Sequence, residues 1–221
     1  MKKHHHHCWM IIGLLLWPDM LPADDWKLRV DETGIQVYQQ HRHPQFRQWH
    51  TLGLVRLNVS PAAVMALLRD LSACSQWLYG CLSAQELPGD LLRMVFEGPL
   101  WFKDRDVVFR TEWVYLPGTR QWLIQVINQA DQHPSKNRRV ERLHSFSASW
   151  LLTEVSAGVT HVSYELYMDP GLAVRAGVNR YNRDAVYLTI AAMRELLKDS
   201  TYQQAGELPW EDHQSVRSDR D

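Results

Sequence analysis

The sequence predicts an α+β fold in which an antiparallel β-sheet is closed by one long C-terminal α-helix. The first observation is a strand-rich region between Cys81 and Met168, where short alternating segments are separated by Pro-Gly and Ala-Gly turn signals at hairpin spacing. The second is a single helical pattern that follows and continues to Leu197. Hairpin spacing favours sequential antiparallel pairing, so we expect one curved sheet in a single domain.

The C-terminal helix is the element with the strongest pattern. Asp169–Gly171 ends the preceding strand, because proline fixes φ and glycine supplies backbone freedom. About 27 residues of helical pattern follow, roughly 40 Å of helix, which can cover one face of a curved sheet. Its two apolar stripes are Val174, Val178, Tyr181, Ala185, Leu188, Ala192 and Leu196, and Val186, Ile190, Met193 and Leu197. Together they are wider than an amphipathic helix requires, so we expect the helix to pack on the sheet and to roof a cavity.

Alternation of apolar and polar residues predicts nine strands. They are Ile35–Gln39, Gln48–Leu57, Leu82–Leu87, Leu91–Glu97, Asp106–Tyr115, Gln121–Gln129, Arg138–Phe146, Ser147–Glu154 and His161–Met168. Trp26–Val30 is interpreted as a lead-in or the end of a short helix, and His144–Trp150 fits one bent strand as well as two. A helix is predicted from Ser60 to Asp70, because serine is a good N-cap and the proline after it suits the first helical position. A second, short helix is predicted at Cys74–Tyr79.

The composition is that of an ordinary globular protein with one unusual feature. The chain has 221 residues, of which 45% are hydrophobic and 22% charged, so one large domain can bury a sizeable core. Ten tryptophans fit either a tryptophan-rich core or a cavity lined with aromatic rings. The formal net charge of -1 gives no basic face, and we expect no nucleic-acid partner.

The first 23 residues have the layout of a secretory signal peptide. A basic, polar start is followed by the apolar run Cys8–Trp17 and by Ala23, a small residue suited to cleavage. The apolar run is short for a membrane span, which needs about 20 residues, but an uncleaved anchor and an untargeted apolar terminus stay open. A cleaved signal predicts a periplasmic or secreted protein, with one domain at residues 24–205 and a disordered tail at 206–221.

Cleavage would leave two cysteines, Cys74 and Cys81, which is an even number in an oxidising compartment. Seven residues of unbroken helix span about 10.5 Å, whereas a disulfide needs Cα atoms within about 7 Å. Tyr79–Gly80 is expected to break the helix between them. A disulfide and two buried thiols therefore both stay open.

The chain lacks the familiar motifs of catalysis. GxSxG, P-loop, GxGxxG and HExxH patterns are absent, and we expect neither a metal nor a cofactor. An enzyme is therefore less expected, although catalysis by scattered residues stays open. Glu97, Arg105 and Arg142 stand among apolar strand residues. Each fits a strand-end ion pair or exposed charge as well as a ligand contact, because an unpaired buried charge is costly.

The strand at Asp106–Tyr115 predicts which side chains face inward. Its less polar set is Val107, Phe109, Thr111, Trp113 and Tyr115. Because successive side chains of a strand point to opposite faces, we expect this set on the concave face and Arg110 and Glu112 outward.

Four groups of residues resemble START domains, the StAR-related lipid-transfer family, in a bacterial secreted form. They are Trp77 after the second helix, Lys103–Val108 with its Arg-Asp-Val-Val core, Ser149–Trp150, and Tyr164 through Asp169–Gly171 into Asn179–Arg180. The resemblance extends over about residues 26–200. Each group is a weak signal alone, whereas their order and spacing are fairly specific.

The resemblance implies a helix-grip fold, in which a curved antiparallel sheet wraps around the long C-terminal helix and leaves an internal apolar tunnel. It also implies that Arg105 and Arg142 contact a ligand head group. The sequence departs from the family where Leu172 replaces a glycine and where a proline near the helix start is missing from Val174–Gly177. The predicted ligand-binding set is Trp77, Trp101, Arg105, Phe109, Trp113, Arg142, Tyr164, Val178 and Tyr181.

Three functions are compatible with these features. The first is a monomeric protein that binds, and in one version transfers, a lipid, sterol or other apolar molecule with transient membrane contact. The second is an enzyme similar to polyketide cyclases and aromatases on the same scaffold, which needs Arg105, Arg142, Tyr164 and His144 to converge. The third is a sensor or partner-binding module with a filled interior.

Overall fold

The computed structural model describes residues 25–41, 46–98, 103–133, 139–172 and 175–204. The strands are β1 Lys27–Glu32, β2 Ile35–Gln40, β3 His50–Leu57, β4 Cys81–Leu87, β5 Leu91–Phe96, β6 Asp104–Leu116, β7 Gln121–Asn128, β8 Val140–Arg142, β9 Ser145–Ser156 and β10 Val159–Asp169. The helices are α1 Pro61–Arg69, α2 Cys74–Trp77, α3 Arg175–Leu196 and α4 Ser200–Gln203. The α+β prediction is confirmed. The predicted signal peptide and tail lie outside the described residues.

The sheet has the strand order β1-β2-β3-β10-β9-β7-β6-β5-β4. Every neighbouring pair in this order is antiparallel. Sequential pairing is therefore right within β1–β3, within β4–β7 and for β9 with β10. The remaining strand pairs connect segments that are farther apart in the sequence. In particular, β10 pairs with β3, which places the first strands of the chain beside the last one.

The prediction of one strand over Arg138–Phe146 is right only in part. The short strand β8 forms at Val140–Arg142, and β9 begins at Ser145. The expected antiparallel pairing with a sequence neighbour was wrong for β8, which runs parallel to β6. A parallel partner cannot be reached by a tight turn, so β8 follows a longer connection from the end of β7. The alternative of one bent strand is correct, because β9 starts at Ser145 and pairs directly with β7.

The interpretation of Trp26–Val30 as a lead-in or helix end was also wrong. This segment belongs to β1, which pairs with β2 across a two-residue turn at Thr33 and Gly34. Both turn residues have positive φ, 52° and 76°, as a twisted hairpin turn requires. The Thr-Gly pair was the signal for this hairpin in the sequence.

The start of α1 follows the capping prediction. The side chain of Ser60 accepts a hydrogen bond from the Ala63 amide at 3.3 Å, and Pro61 is the first helical residue. Asp70 ends α1 and caps the following 3₁₀ turn through the Ser72 and Ala73 amides. Its second carboxylate oxygen accepts a hydrogen bond from the Tyr202 hydroxyl at 2.8 Å. Asp70 thereby ties α4, at the end of the described chain, to the first helices.

Helix α3 lies on the concave face of the sheet, mainly over β2, β3 and β10. Val186, Ile190 and Met193, all from one predicted stripe, are completely buried against the sheet. Two side-chain contacts fix its N-terminal half: Asn182 donates to the Met168 carbonyl at 3.0 Å, and Gln39 donates to the Asn179 carbonyl at 2.7 Å. The helix is thus held against one half of the sheet, and the other half curves away from it.

Candidate ligand-binding cavity

A cavity of about 630 Å³ lies between α3 and the β5-β6-β7-β9-β10 part of the sheet. Gly53 on β3 explains its position, because the missing side chain lets Val186 and Ile190 of α3 approach the sheet directly. Farther along the sheet the strands carry tryptophan, phenylalanine and leucine instead. These larger side chains form the cavity wall. Most of the lining is apolar or aromatic, as is typical of small-molecule sites.

The inner wall is a row of side chains that crosses four strands. Trp113 of β6, Ile124 of β7, Trp150 of β9 and Tyr164 of β10 are successive register partners, and all line the cavity. The rings of Trp150 and Tyr164 are stacked, with centroids 3.8 Å apart and planes 8° apart. Trp77 of α2 meets Trp150 edge to face, at a centroid distance of 6.0 Å. These ring contacts hold the side chains in place, so this end of the cavity is rigid and aromatic.

The next row of the sheet has smaller side chains. It consists of Thr111, Val126, Ala148 and Leu166, which are again successive register partners. Ala148 stands two residues before Trp150 on β9 and faces the same way. The change from tryptophan to alanine leaves the space between the sheet and α3 at this level.

The helix wall comes from the stripe of α3 that does not touch the sheet directly. Val178, Tyr181, Ala185 and Thr189 line the cavity. The hydroxyl oxygen of Thr189 accepts a hydrogen bond from the Tyr79 amide at 3.1 Å, which joins α3 to the segment after α2. Three members of the first predicted stripe, Val178, Tyr181 and Ala185, therefore face the cavity, whereas Leu188 of the same stripe is exposed and the second stripe packs on the sheet.

A disulfide closes the wall beside α2. Cys74 and Cys81 are bonded, and their Cα atoms are 5.9 Å apart. The helix ends between them at Trp77, earlier than the predicted break at Tyr79–Gly80, and Gly80 then turns the chain with a φ of +73°. The alternative of two buried thiols does not hold in this structure. Three consecutive lining residues, Trp77 to Tyr79, lie inside the disulfide loop.

This chain is similar to known proteins in sequence and in structure. No family model matches the chain. An uncharacterised protein of Pseudomonas aeruginosa is 25% identical over 182 residues, which are 78% of this chain and 86% of that protein. The crystal structure of a STAR-related lipid transfer protein from Xanthomonas axonopodis superposes with a TM-score of 0.69 at 22% identity, over 80% of this chain and 100% of that one. The chain has the START fold.

Human StAR-related lipid transfer protein 5 has the same architecture, with a TM-score of 0.66 at 12% identity, over 78% of this chain and 86% of that one. The helix-grip prediction is therefore confirmed at the level of the fold. One departure from the family pattern also has a place in the structure. Leu172, which stands where START domains have a glycine, is one of the residues that line the cavity.

Seven of the nine predicted ligand-binding residues line the cavity. They are Trp77, Arg105, Phe109, Trp113, Tyr164, Val178 and Tyr181. Trp101 lies outside the described residues. The alternation predicted along β6 holds from Val107 to Trp113, and Arg110 and Glu112 pair with each other on the outer side at 2.8 Å. Three further lining residues were not predicted, although period-two alternation on β7 and β10 was a signal for them: Ile124, Leu166 and Met168.

Arg142 needs correction. It is not among the lining residues, because its register partner on β6 is Asp106, whose side chain points to the face opposite Arg105 and Val107. Its guanidinium donates to Asp106 at 2.8 and 3.0 Å and to the carbonyls of Ala130 and His133. Arg142 is thus a structural contact that holds β8 and the preceding connection to β6.

Asp106 is completely buried between two guanidinium groups. Arg93 donates to one carboxylate oxygen at 2.8 Å, and Arg142 donates to both oxygens. Burial alone would raise the pKa of Asp106, but the hydrogen bonds and charges of Arg142 and Arg93 outweigh it and hold that pKa below its usual range. The Asp106 carboxylate is therefore ionised at neutral pH, and its hydrogen bonds stabilise the outer side of the sheet.

The polar groups of the cavity itself are few. Arg105 donates to the Lys103 carbonyl at 2.8 Å and pairs with Glu141 at 2.9 Å, near the lining residue Glu97. Burial raises the pKa of Tyr164, and burial together with the charges of Tyr79 and Glu97 raises the pKa of Tyr181 to about 12. Both tyrosines are therefore neutral hydrogen-bond donors at physiological pH.

The residues that a cyclase would need do not converge. Arg105 and Tyr164 line the cavity, whereas Arg142 lies on the other face. His144 is 67% exposed and lies 3.7 Å from Asp131, away from the lining. Among the described residues, no group of three or more histidine, cysteine or acidic side chains could hold a metal ion. The arrangement can enclose an apolar molecule and donate a few hydrogen bonds to it.

A larger groove, of about 910 Å³, lies at the surface on another side of α3. Most of the residues that line it are polar or charged, and they include Arg29, Asn179, Arg180 and Arg183. The smaller cavity is the better candidate, because it is enclosed between the sheet and α3 and its wall is apolar.

Proposed function

We propose that this protein binds an apolar small molecule, a lipid or a sterol-like compound, inside the cavity and carries it without changing it chemically. The observation that carries the proposal is the 630 Å³ cavity lined by aromatic and aliphatic side chains. This volume is within the range of about 300–1,000 Å³ that is typical of ligand pockets. Burial of ligand surface at about 25 cal/mol per Å² would drive binding.

Two further observations support a lipid as the ligand. The few polar groups of the cavity are separated along its wall, with Arg105 near one end and Tyr164 near the other. Such a pattern suits an elongated molecule with a long apolar body better than a compact polar substrate. The Xanthomonas structure with the same fold is described as a STAR-related lipid transfer protein.

Native mass spectrometry tests the proposal. The full chain is purified without detergent and compared before and after organic extraction. We expect a non-covalent adduct of an apolar molecule in the first sample and, after extraction, uptake of added bacterial phospholipid or a fluorescent lipid. A protein that neither retains nor takes up any apolar molecule would contradict the proposal.

Export to the periplasm is part of the proposal. The apolar run Cys8–Trp17 and the bonded pair Cys74 and Cys81 support it independently, since disulfides persist in oxidising compartments. In that compartment a carrier would load and release its ligand at a membrane by transient contact. Cell fractionation and N-terminal sequencing test this part, with a mature protein that begins at Asp24 as the expected result. An uncleaved protein in the cytoplasm would contradict it.

A further inference from the structure

Tyr164 has a hydroxyl that the protein itself does not use. The residue is 5% exposed and lines the cavity. Within the described part of the chain, its hydroxyl makes no hydrogen bond. It is not among the fully enclosed polar atoms that lack a partner, so it opens on the cavity. Phenylalanine would provide the same stack on Trp150, so the hydroxyl needs an explanation outside the fold.

Neighbouring polar groups of the lining are paired within the protein. The indole of Trp113 donates to the Thr111 hydroxyl oxygen at 3.1 Å, and the Thr189 hydroxyl oxygen accepts from the Tyr79 amide at 3.1 Å. These two contacts show that other polar groups of the cavity wall form hydrogen bonds within the protein.

The indole nitrogen of Trp77 does not indicate a ligand contact in the same way. Its indole nitrogen also lacks an oxygen acceptor among the described residues, but the atom is fully buried. The Trp77 ring meets Trp150 edge to face, with 66° between the planes, and the N–H of such a ring can rest on an aromatic face. We assign no ligand contact to Trp77 Nε1.

The charges around Tyr164 limit the chemistry of its partner. The cationic residue of the described lining is Arg105, and Trp113, in the same row as Tyr164, lies eight residues farther along β6. At about 3.4 Å per residue this separation is roughly 27 Å. The Arg69 guanidinium lies over the Trp113 ring, 4.4 Å from its centroid, but Arg69 is not a lining residue, and Trp113 is three strand spacings, about 14 Å, across the sheet from Tyr164. A carboxylate or phosphate beside Tyr164 would therefore lie buried without an adjacent counter-charge, which is strongly unfavourable. A neutral oxygen would not carry this cost.

We infer that the ligand inserts a neutral oxygen, from a ketone, ester, ether or hydroxyl group, into the aromatic end of the cavity, where it accepts a hydrogen bond from Tyr164. This inference rests on the proposed function and specifies its ligand class. The bound molecule is elongated, and its neutral oxygen lies at the aromatic end of the cavity. Tyr164 is thus the residue that selects an oxygenated ligand over a plain hydrocarbon.

The test is a competition experiment with the full chain. N-phenyl-1-naphthylamine, a dye that fluoresces in apolar sites, is displaced by a medium-chain methyl ketone or by the alkane of equal chain length. We expect the wild-type protein to bind the ketone about threefold to tenfold more tightly, the range that one neutral hydrogen bond gives. Tyr164→Phe should bind both competitors equally, with each displacement constant referred to that variant's own affinity for the dye.

Tyr167→Phe is the matched control. Tyr167 is equally buried on the same strand, but it faces away from the cavity, so the control variant should keep the preference for the ketone. A second readout separates a ligand contact from a structural role. The melting temperature of ligand-free Tyr164→Phe should equal or exceed that of the wild type, because the variant loses a hydroxyl that makes no hydrogen bond within the described protein and keeps the ring stack on Trp150.

The outcomes are distinguishable. Equal affinities in the wild-type protein, a preference that survives in Tyr164→Phe, or a lower melting temperature in that variant would each overturn the inference and leave apolar binding intact. Failure of the dye and of both competitors to bind the wild-type protein would instead contradict the proposed function.

Discussion

Gly53 of β3 lies directly beneath Val186 of α3. A Cβ atom added to Gly53 would be 2.6 Å from Cγ1 of Val186 and would overlap the side chain of Ile190. Both of these α3 side chains are completely buried, so neither can move into solvent. The distance between α3 and the sheet, and with it the height of the cavity beyond Gly53, depends on this contact.

Gly53→Ala should therefore destabilise the protein by about 1–3 kcal/mol, the usual cost of overpacking a close-packed core. Urea unfolding followed by tryptophan fluorescence measures the change. Gly118→Ala is the matched control, because an added Cβ there meets no atom within 4 Å. The control should differ from the wild type by less than about 1 kcal/mol. Equal stability of the two variants would contradict the close contact.

The disulfide supports a second prediction. Replacing Cys74 and Cys81 together by serine should lower the free energy of unfolding by about 2 to 3 kcal/mol, as expected for closure of a short loop. Because Trp77 and Tyr79 lie inside that loop and line the cavity, ligand affinity should fall as well. A reducing agent should reproduce both effects in the wild type and change nothing in the double variant. A wild-type protein that is insensitive to reduction would contradict this prediction.

The features that the sequence predicted correctly are local. Val178 and Val186 were placed on different stripes by helical periodicity alone, and the structure puts one on the cavity and the other on the sheet. Phe109 and Arg110 were placed on opposite faces of β6 because adjacent side chains of a strand alternate. Periodicity needs no knowledge of what each face will contact.

The features that were missed depend on contacts between distant segments. Arg142 faces Asp106 because β8 pairs in parallel with β6, and three residues of strand carry no periodicity that could reveal this register. The cavity lies where it does because Gly53 meets α3 across more than half of the chain. A lone glycine in a strand signals only that some backbone or ligand approaches closely.

The pH dependence of stability should depend on Asp106. Its pKa in the folded protein lies below the ordinary value, so its contribution to stability is present above about pH 4 and is lost as the pH falls through the folded pKa. Asp106→Asn should cost about 3 kcal/mol at pH 7, because it leaves the Arg93 and Arg142 guanidiniums without their shared carboxylate. The difference from the wild type should shrink on acidification. Unfolding titrations at several pH values measure it.

Glu112→Gln is the control for this titration. It removes a carboxylate from an ion pair with Arg110 on the same strand, but both side chains are more than 40% exposed. Exposed pairs contribute about 0–1 kcal/mol, so this variant should stay close to the wild type at every pH. An equal loss in both variants would show that the Asp106 cluster does not stabilise the fold as its geometry indicates.

The apolar character of the α3 wall gives the last prediction. Val178→Asp places a carboxylate on the cavity side of the helix, where a charge without a partner is unfavourable beside an apolar ligand. We expect lipid uptake to weaken by at least about tenfold, with a smaller effect on unfolding, since Val178 packs against the cavity rather than the sheet. Leu188→Asp is the control, because Leu188 is 40% exposed on the same helix and does not line the cavity. Uptake by Val178→Asp that equals uptake by Leu188→Asp would place the bound molecule away from α3.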